Sequence, residues 1–179
     1  MARYGMAIDT KRCVGCHACV ISCFMENDVP EGYTRAWITE TVTGEFPELT
    51  AEIHSQRCNH CDDAPCVEVC PTGASYIDEK TGTVQIDASK CTGCKACIAA
   101  CPYDARFVHP EGYASKCTLC IHRITNGETT ACAQTCPTSA VVVGDLDDPG
   151  SEVNRVMHGR KIKTLKPEAG TKPKVYYLG

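Results

Sequence analysis

The chain of 179 residues is short of aromatic side chains, which make up 6% of it: one Trp, three Phe and seven Tyr. Its hydrophobic fraction of 43% counts cysteine, and with cysteine set aside about a third of the chain remains, thin for a domain held together by burial alone. Something besides side-chain packing must hold the fold. Positive charge is also in short supply. The 18 Lys and Arg against 22 Asp and Glu leave a formal net charge of -4 and no basic footprint, so nucleic acid is not expected as a partner. No apolar run approaches the ~18 residues of a membrane span, and no direct membrane span is expected. Residues 1–9 hold no hydrophobic stretch of the kind that opens a secretory signal, so the chain is expected to carry no export signal of its own. No Ser-His-Asp set, phosphate-binding glycine loop or open metal site is visible, which predicts a non-catalytic chain.

What the sequence has is cysteine, 16 in all. Without an export signal, a disulfide framework is disfavoured, because a reducing compartment keeps thiols free, and metal is the remaining bulk use. The cysteines fall into four quartets with none left over: Cys13, Cys16, Cys19, Cys23; Cys58, Cys61, Cys66, Cys70; Cys91, Cys94, Cys97, Cys101; and Cys117, Cys120, Cys132, Cys136. The third, followed by Pro102, reads C-x2-C-x2-C-x3-C-P at every position, the run of bacterial ferredoxins in which three close thiolates grip one cubane and the fourth reaches a second. Gly93 relieves the tight loop, a turn of helix follows Cys97, and Pro102, lacking an N–H, discourages continuation so that Cys101 can turn away. The second quartet repeats this with a longer middle gap before Pro71, and the fourth with eleven residues between Cys120 and Cys132 before Pro137. The first has Phe24 where proline is expected. Taken alone, the fourth quartet also suits a single structural zinc.

The chain repeats itself. Residues 70–91 read as two short strands about a turn containing Gly82, so the second and third quartets sit together. Met6-Ala-Ile-Asp9 before Cys13-Val-Gly-Cys16 matches Val84-Gln-Ile-Asp87 before Cys91-Thr-Gly-Cys94, and Cys136-Pro-Thr matches Cys70-Pro-Thr. The outer module is thus the inner one cut at its hairpin, with strands near Gly5–Ile8 and Val141–Gly144 from opposite chain ends. The expected fold is α+β: two ferredoxin-like 4Fe-4S dicluster modules, one (58–101) inserted in the other (1–23 with 117–145), joined by loop-rich segments 24–57, 102–116 and 146–179. Exchange of fourth ligands within each module gives four 4Fe-4S clusters. Their ligand sets are Cys13, Cys16, Cys19 with Cys136; Cys117, Cys120, Cys132 with Cys23; Cys58, Cys61, Cys66 with Cys101; and Cys91, Cys94, Cys97 with Cys70. Arg12, Lys90, Lys95 and Lys116, beside the cysteines, are candidates for raising cluster potentials. His17, His60 and His122 are expected outside the ligand sets, which the cysteines already complete.

These quartets, together with Cys58-Asn-His-Cys61, Cys70-Pro-Thr-Gly-Ala74, Cys101-Pro-Tyr-Asp-Ala-Arg106 and Gly144-Asp-Leu-Asp-Asp-Pro149, resemble the iron-sulfur (B) subunits of polysulfide and thiosulfate reductases in the dimethyl sulfoxide reductase superfamily. The resemblance covers essentially the whole chain. It implies a subunit carrying electrons between an integral membrane quinone-binding subunit and a molybdenum or tungsten bis-pterin catalytic subunit. It also implies an order, from the set containing Cys13 nearest the catalytic subunit, through the sets with Cys23 and Cys101, to the set with Cys70 nearest the quinone. Related nitrate reductase subunits have tryptophan where Cys94 stands and hold a three-iron cluster, so four 4Fe-4S clusters are implied here. Related arsenate reductase partners carry a long insertion between the third and fourth quartets, where this chain has fifteen residues. The family's usual location is a membrane-associated complex, on the periplasmic face after export with a twin-arginine-tagged partner, the cytoplasmic face being the alternative.

Outside the modules, Ala36–Val42 around Trp37 alternates as a strand would, either capping a module or offering a docking surface. The last residues, rich in Lys, Pro and Gly, are expected as an extended tail lying on a partner. A free soluble polyferredoxin is the competing function, and the three extra segments argue against it.

Overall fold

The computed structural model describes residues 2–179. The chain opens with strand β1 (Tyr4–Asp9) and helix α1 (Ala18–Glu26), then runs out and back through a long hairpin, β2 (Ala36–Glu45) and β3 (Glu48–Arg57). The middle of the chain holds α2 (Pro65–Glu68), the short hairpin β4 (Ser75–Ile77) and β5 (Val84–Ile86), α3 (Ala96–Ala99) and a second small hairpin, β6 (Phe107–Val108) and β7 (Ala114–Ser115). Then come α4 (Ile121–Ile124), α5 (Ala131–Gln134), β8 (Val141–Asp145), α6 (Glu152–Met157), β9 (Ile162–Lys163) and β10 (Val175–Leu178).

The helices are short for a reason written in the chain. α2, α3 and α5 have four residues each, and each is followed two residues later by a Cys-Pro pair whose proline cannot donate to the turn before it. In α1, where Phe24 replaces that proline, the helix runs past Cys23 to Glu26 and is nine residues long.

The expected pairings are present. β4 and β5 pair antiparallel with Tyr76 opposite Gln85. β1 and β8, from opposite ends of the sequence, pair antiparallel with Gly5 opposite Gly144 and Ile8 opposite Val141. The alternation at Ala36–Val42 is a strand, but its partner β3 carries no alternation strong enough to have been assigned from sequence.

The C-terminal segment corrects the expectation. Rather than lying on a partner as an extended tail, residues 175–178 form an inner strand of the molecule's own four-stranded sheet, ordered β8-β1-β10-β9. β10 runs parallel to β1, Met6 opposite Val175 and Asp9 opposite Leu178. The approach to β10 is fastened to the loop after Cys58: Lys174 N donates to Asn59 O at 2.9 Å, and its buried ammonium pairs with Asp62 at 2.8 Å. Tyr177 is buried, and its hydroxyl donates to Ser55 O at 3.1 Å. Val175, Tyr177 and Leu178 supply enough burial to outweigh the local Lys-Pro-Gly composition. α6 closes the back of the sheet through Val153, packed with Ala7 and Leu178.

Two larger cores form, and each is built partly from cysteine. One groups Cys58, Cys61, Cys66, Cys97 and Cys117 with Val84 and Tyr103. The other groups Cys19 and Cys132 with Met6, Ile8, Val175 and Tyr177. The thin apolar composition is therefore spread over cores whose centres are thiols.

Candidate metal centres

The ligand loops repeat in backbone geometry as they do in sequence. Gly15 and Gly93 take φ of +64° and +67°, and the residues two places on, His17 and Lys95, take φ of 60° and 64° as they start α1 and α3. Glycine is needed most at 93, where a Cβ would stand 2.4 Å from Gly112 O.

None of the sixteen cysteines is joined in a disulfide. Cys70, Cys91, Cys94 and Cys97 line one pocket, which Arg106 also borders. Cys23, Cys117, Cys120 and Cys132 line another, with Asn27 and Arg57. The Cys13 thiol lies within electrostatic reach of those of Cys19, Cys136 and Cys16, and that of Cys61 within reach of those of Cys58, Cys66 and Cys101. The fourth quartet is thus divided, three thiols joining Cys23 while Cys136 stands by Cys13, an arrangement that a single zinc tetrahedron on that quartet would not use. Exposure differs between the groups. Cys16 and Cys94 are exposed, whereas Cys23, Cys117, Cys120 and Cys132 are all buried, as are Cys58, Cys61 and Cys66.

Burial sets the thiol chemistry. It pushes Cys61 and Cys117 up to about 11, and raises Cys23, Cys66 and Cys120 as well. Without a metal to neutralise them these groups stay protonated, so cluster binding must release protons. Cys70 and Cys136 go the other way. Burial opposes ionisation there too, but the N–H of Ser75 reaches Cys70 Sγ at 3.3 Å and that of Ala140 reaches Cys136 Sγ at 3.2 Å, with the Thr72 and Thr138 hydroxyls adding to them.

The donor set fits an anionic sulfur-rich group. Backbone N–H groups of Ala114 and Leu119 point at Cys91 and Cys117 sulfurs, at 3.3 and 3.4 Å. Arg57 Nη1 donates to Cys132 Sγ at 3.0 Å, and Arg106 Nη2 to Cys66 Sγ at 2.7 Å. Arg57 Nε and Arg106 Nε and Nη1 are buried donors without a partner among the protein atoms, oriented from side chains already anchored on thiols. Inorganic sulfide of a cluster is the kind of acceptor such donors lack.

The chain matches the 4Fe-4S dicluster domain family twice, over residues 12–74 and 49–146. It is a 4Fe-4S dicluster protein. It carries four 4Fe-4S clusters, which fit the sixteen cysteines present. Among its relatives are the Protein NrfC homolog of Haemophilus influenzae, 45% identical over 98% of this chain and 80% of the relative, and the B component of tetrathionate reductase of Salmonella typhimurium, 44% identical over 99% and 72%. The B component of polysulfide reductase of Wolinella succinogenes is 42% identical over 98% of this chain and 94% of its own length. This dicluster protein is an electron-transfer subunit of the reductase type rather than a catalytic one.

Of the charged residues singled out in the sequence, Arg12, Lys90 and Lys95 are exposed and only Lys116 is buried. Sequence reasoning missed Arg57 and Arg106, the two guanidiniums that touch sulfur. A signal for the first was available: Arg12, Arg57, Lys90 and Lys116 each stand directly before the first cysteine of a quartet. Arg106 gives no comparable signal, since its reach to Cys66 comes from the fold. His17 and His122 are at the surface, and His122 pairs with Glu26 at 2.8 Å. His60 is buried and accepts the N–H of Val84 on Nδ1 at 3.1 Å, with burial holding its pKa well below the ordinary value.

Proposed function

We propose that this chain is the electron-transfer subunit of a membrane-associated molybdopterin reductase of the polysulfide, thiosulfate or tetrathionate type. It would join an integral membrane quinone-binding subunit to a molybdenum or tungsten catalytic subunit. The observation that carries the reading is the gradient of exposure along the ligand groups: the groups holding Cys16 and Cys94 open to the surface, the group of Cys23 is buried throughout, and in the group of Cys58 only Cys101 is partly exposed. That pattern suits a wire with an entry, an exit and an insulated middle. The names of the tetrathionate and polysulfide reductase relatives support the class of complex.

The ligand sets that the reading assigns are Cys13, Cys16, Cys19 and Cys136; Cys23, Cys117, Cys120 and Cys132; Cys58, Cys61, Cys66 and Cys101; and Cys70, Cys91, Cys94 and Cys97. The outer module comprises 1–23 and 117–145, and the inserted module 58–101. When bound, each cluster supplies one-electron transfer. The protein's own residues bind the clusters, donate hydrogen bonds to their thiolate sulfurs and exclude water from the two middle sites.

Apolar side chains lie exposed at both ends of the proposed wire. Ile21, 61% exposed, lies on α1 near the first group, and Ile77, 38% exposed, lies on β4 by the last. The tip of the β2–β3 hairpin adds Phe46, 89% exposed, among four acidic residues between Glu40 and Glu52. We assign the Ile21 face and the hairpin tip to the catalytic subunit and the Ile77 face to the membrane subunit, at the periplasmic side. Among the described residues no helix is long and apolar enough to cross a membrane, so anchorage rests on that partner. Co-expression with both partners tests this. Ile21→Glu should release the catalytic subunit and Ile77→Glu the membrane subunit on affinity purification; both partners surviving both substitutions would refute the assignment.

A further inference from the structure

Two arginines, both from connecting segments, make similar contacts, one in each module. Arg57 reaches two groups of thiols at once: Nη1 donates to Cys132 Sγ at 3.0 Å, and Nη2 donates to Ser55 Oγ, whose hydroxyl stands 3.3 Å from Cys19 Sγ. Arg106 does the same in the inserted module. Its Nη2 donates to Cys66 Sγ at 2.7 Å and to Ser75 Oγ at 3.0 Å, while Ser75 N donates to Cys70 Sγ at 3.3 Å. Each pair consists of a buried guanidinium and a buried serine, and each joins a thiol of one ligand group to a thiol of the next. Between the modules stands a third buried cation, Lys116, donating to the carbonyls of Val84 and Cys117. The Val84 it reaches packs in one core with Cys58 and Cys66, and Cys117 belongs to the neighbouring group, so it too lies between two groups.

Such placement is costly unless the anions on either side need it. A buried guanidinium loses its hydration, and the anionic sulfur groups beside it must hold its charge. No aspartate or glutamate pairs with Arg57, Arg106 or Lys116 among the described residues; the two guanidiniums are directed at sulfur, and the Lys116 ammonium at two carbonyls beside the ligand groups.

We propose that Arg57, Lys116 and Arg106 each serve the two clusters flanking them, one fixed cation per gap, holding neighbouring potentials up together and letting adjacent clusters be reduced at the same time. This rests on the four-cluster reading of the ligand sets above. On reduction each cluster gains one electron and goes from a net charge of about -2 to about -3, with no bond made or broken and no proton moved. Like charges on adjacent sites repel, and a cation in the gap is attracted to both. The serines extend each cation's reach: Ser55 accepts from Arg57 and turns its own O–H to Cys19, while Ser75 accepts from Arg106 and turns its backbone N–H to Cys70.

The test is a reductive titration of the full cluster-loaded chain, followed by electron paramagnetic resonance, with each signal assigned by a ligand Cys→Ser variant. Iron content of about 16 per chain and four separable signals check the reading on which the inference rests. The midpoints check the inference itself. Arg57→Gln should lower the midpoints of the Cys13 and Cys23 sets and leave the other two. Arg106→Gln should lower those of the Cys101 and Cys70 sets, and Lys116→Gln those of the Cys23 and Cys101 sets. Arg57→Lys, which keeps the charge, should restore most of the loss. Should a glutamine variant fail to load, Ser55→Ala decides the point, since it keeps Arg57 and should lower the Cys13 set alone. Fully loaded variants in which only the directly hydrogen-bonded cluster moves, or none does, would overturn the proposal.

Discussion

The proposed inserted and outer modules share the spacing of one quartet each, the same left-handed step before the helix that follows and a similar arginine-serine pairing, yet they are assembled differently. In the inserted module, β4 and β5 are joined by a local turn, and the strands close within residues 75–86. In the outer module, β1 pairs with β8 from the far side of the inserted module and then with β10 from the end of the chain. The entropy of closing such long loops must be met before the outer contacts form. One module pairs its strands locally, whereas the other draws its strands from both ends of the chain. The third strand that the outer module gains in β10, with no counterpart beside β4 and β5, fits this difference.

The largest expected effect removes the difference altogether. Chelating the iron should unfold both modules, because cluster binding supplies much of the folding free energy of cores whose centres are thiols. Loss of near-ultraviolet dichroism and rapid proteolysis of the whole chain are the expected readouts, and an apo chain that keeps near-native dichroism would contradict this. Deletion of residues 171–179 should then separate the modules. It removes β10 from the outer sheet, whereas the inserted module keeps β4, β5 and its ligands and loses the contacts of residues 171–174 to Asn59, Asp62 and Asp63, so the outer module should lose its clusters and iron should fall from about 16 to about 8 per chain, with the two inserted-module signals retained. Equal loss of all four signals would show that the inserted module does not stand on local contacts.

A smaller effect compares one position across the modules. Gly15 and Gly93 share a positive φ, which costs an alanine roughly 1–2 kcal/mol, but a Cβ at 93 would also press on Gly112 O at 2.4 Å, whereas at 15 the nearest atom is Ile53 Cδ1 at 3.5 Å. Gly93→Ala should therefore lower the denaturation midpoint of the holoprotein more than Gly15→Ala. The smallest effect concerns the aspartates that open the two ligand loops. Asp9 accepts the N–H groups of Lys11 and Arg12 and pairs with Arg160 at 2.5 Å, while Asp87 accepts from Ser89 and lies near exposed Lys90. The hydrogen bond from Arg160 holds the Asp9 carboxyl below its usual range. Its contribution is therefore present above the usual carboxylate pKa and is lost as pH falls through the lowered one. Asp9→Asn should cost about 1 kcal/mol at neutral pH in denaturant melts, with the gap from the parent narrowing in acid and a smaller effect for Asp87→Asn.

Much of the site was legible because thiol spacing is a local property. The quartets, the Cys-Pro helix ends and the β1–β8 pairing could all be read from short strings, and the helix that lacks its proline is the one that runs long. The arginines that touch sulfur were harder to see. Arg57 stood in a repeated position beside Cys58, but nothing local says that it is buried while Arg12 and Lys90 are exposed. Arg106 meets Cys66 across forty positions, and only packing brings them together. The C-terminal residues were misjudged because Lys, Pro and Gly describe the approach to β10, while the burial of Val175, Tyr177 and Leu178 depends on a sheet edge supplied by the first nine residues.

The sequence by itself determined the cofactor chemistry, the number of clusters and the modular repeat, since metal ligation is fixed by residue type and spacing over a few bonds. The tertiary structure alone decided which thiols are enclosed and which open to the surface, which cations stand between the ligand groups, and that the C-terminal strand lies inside the fold. Those are matters of burial, and burial is set by residues far apart in sequence that meet only when the fold has closed.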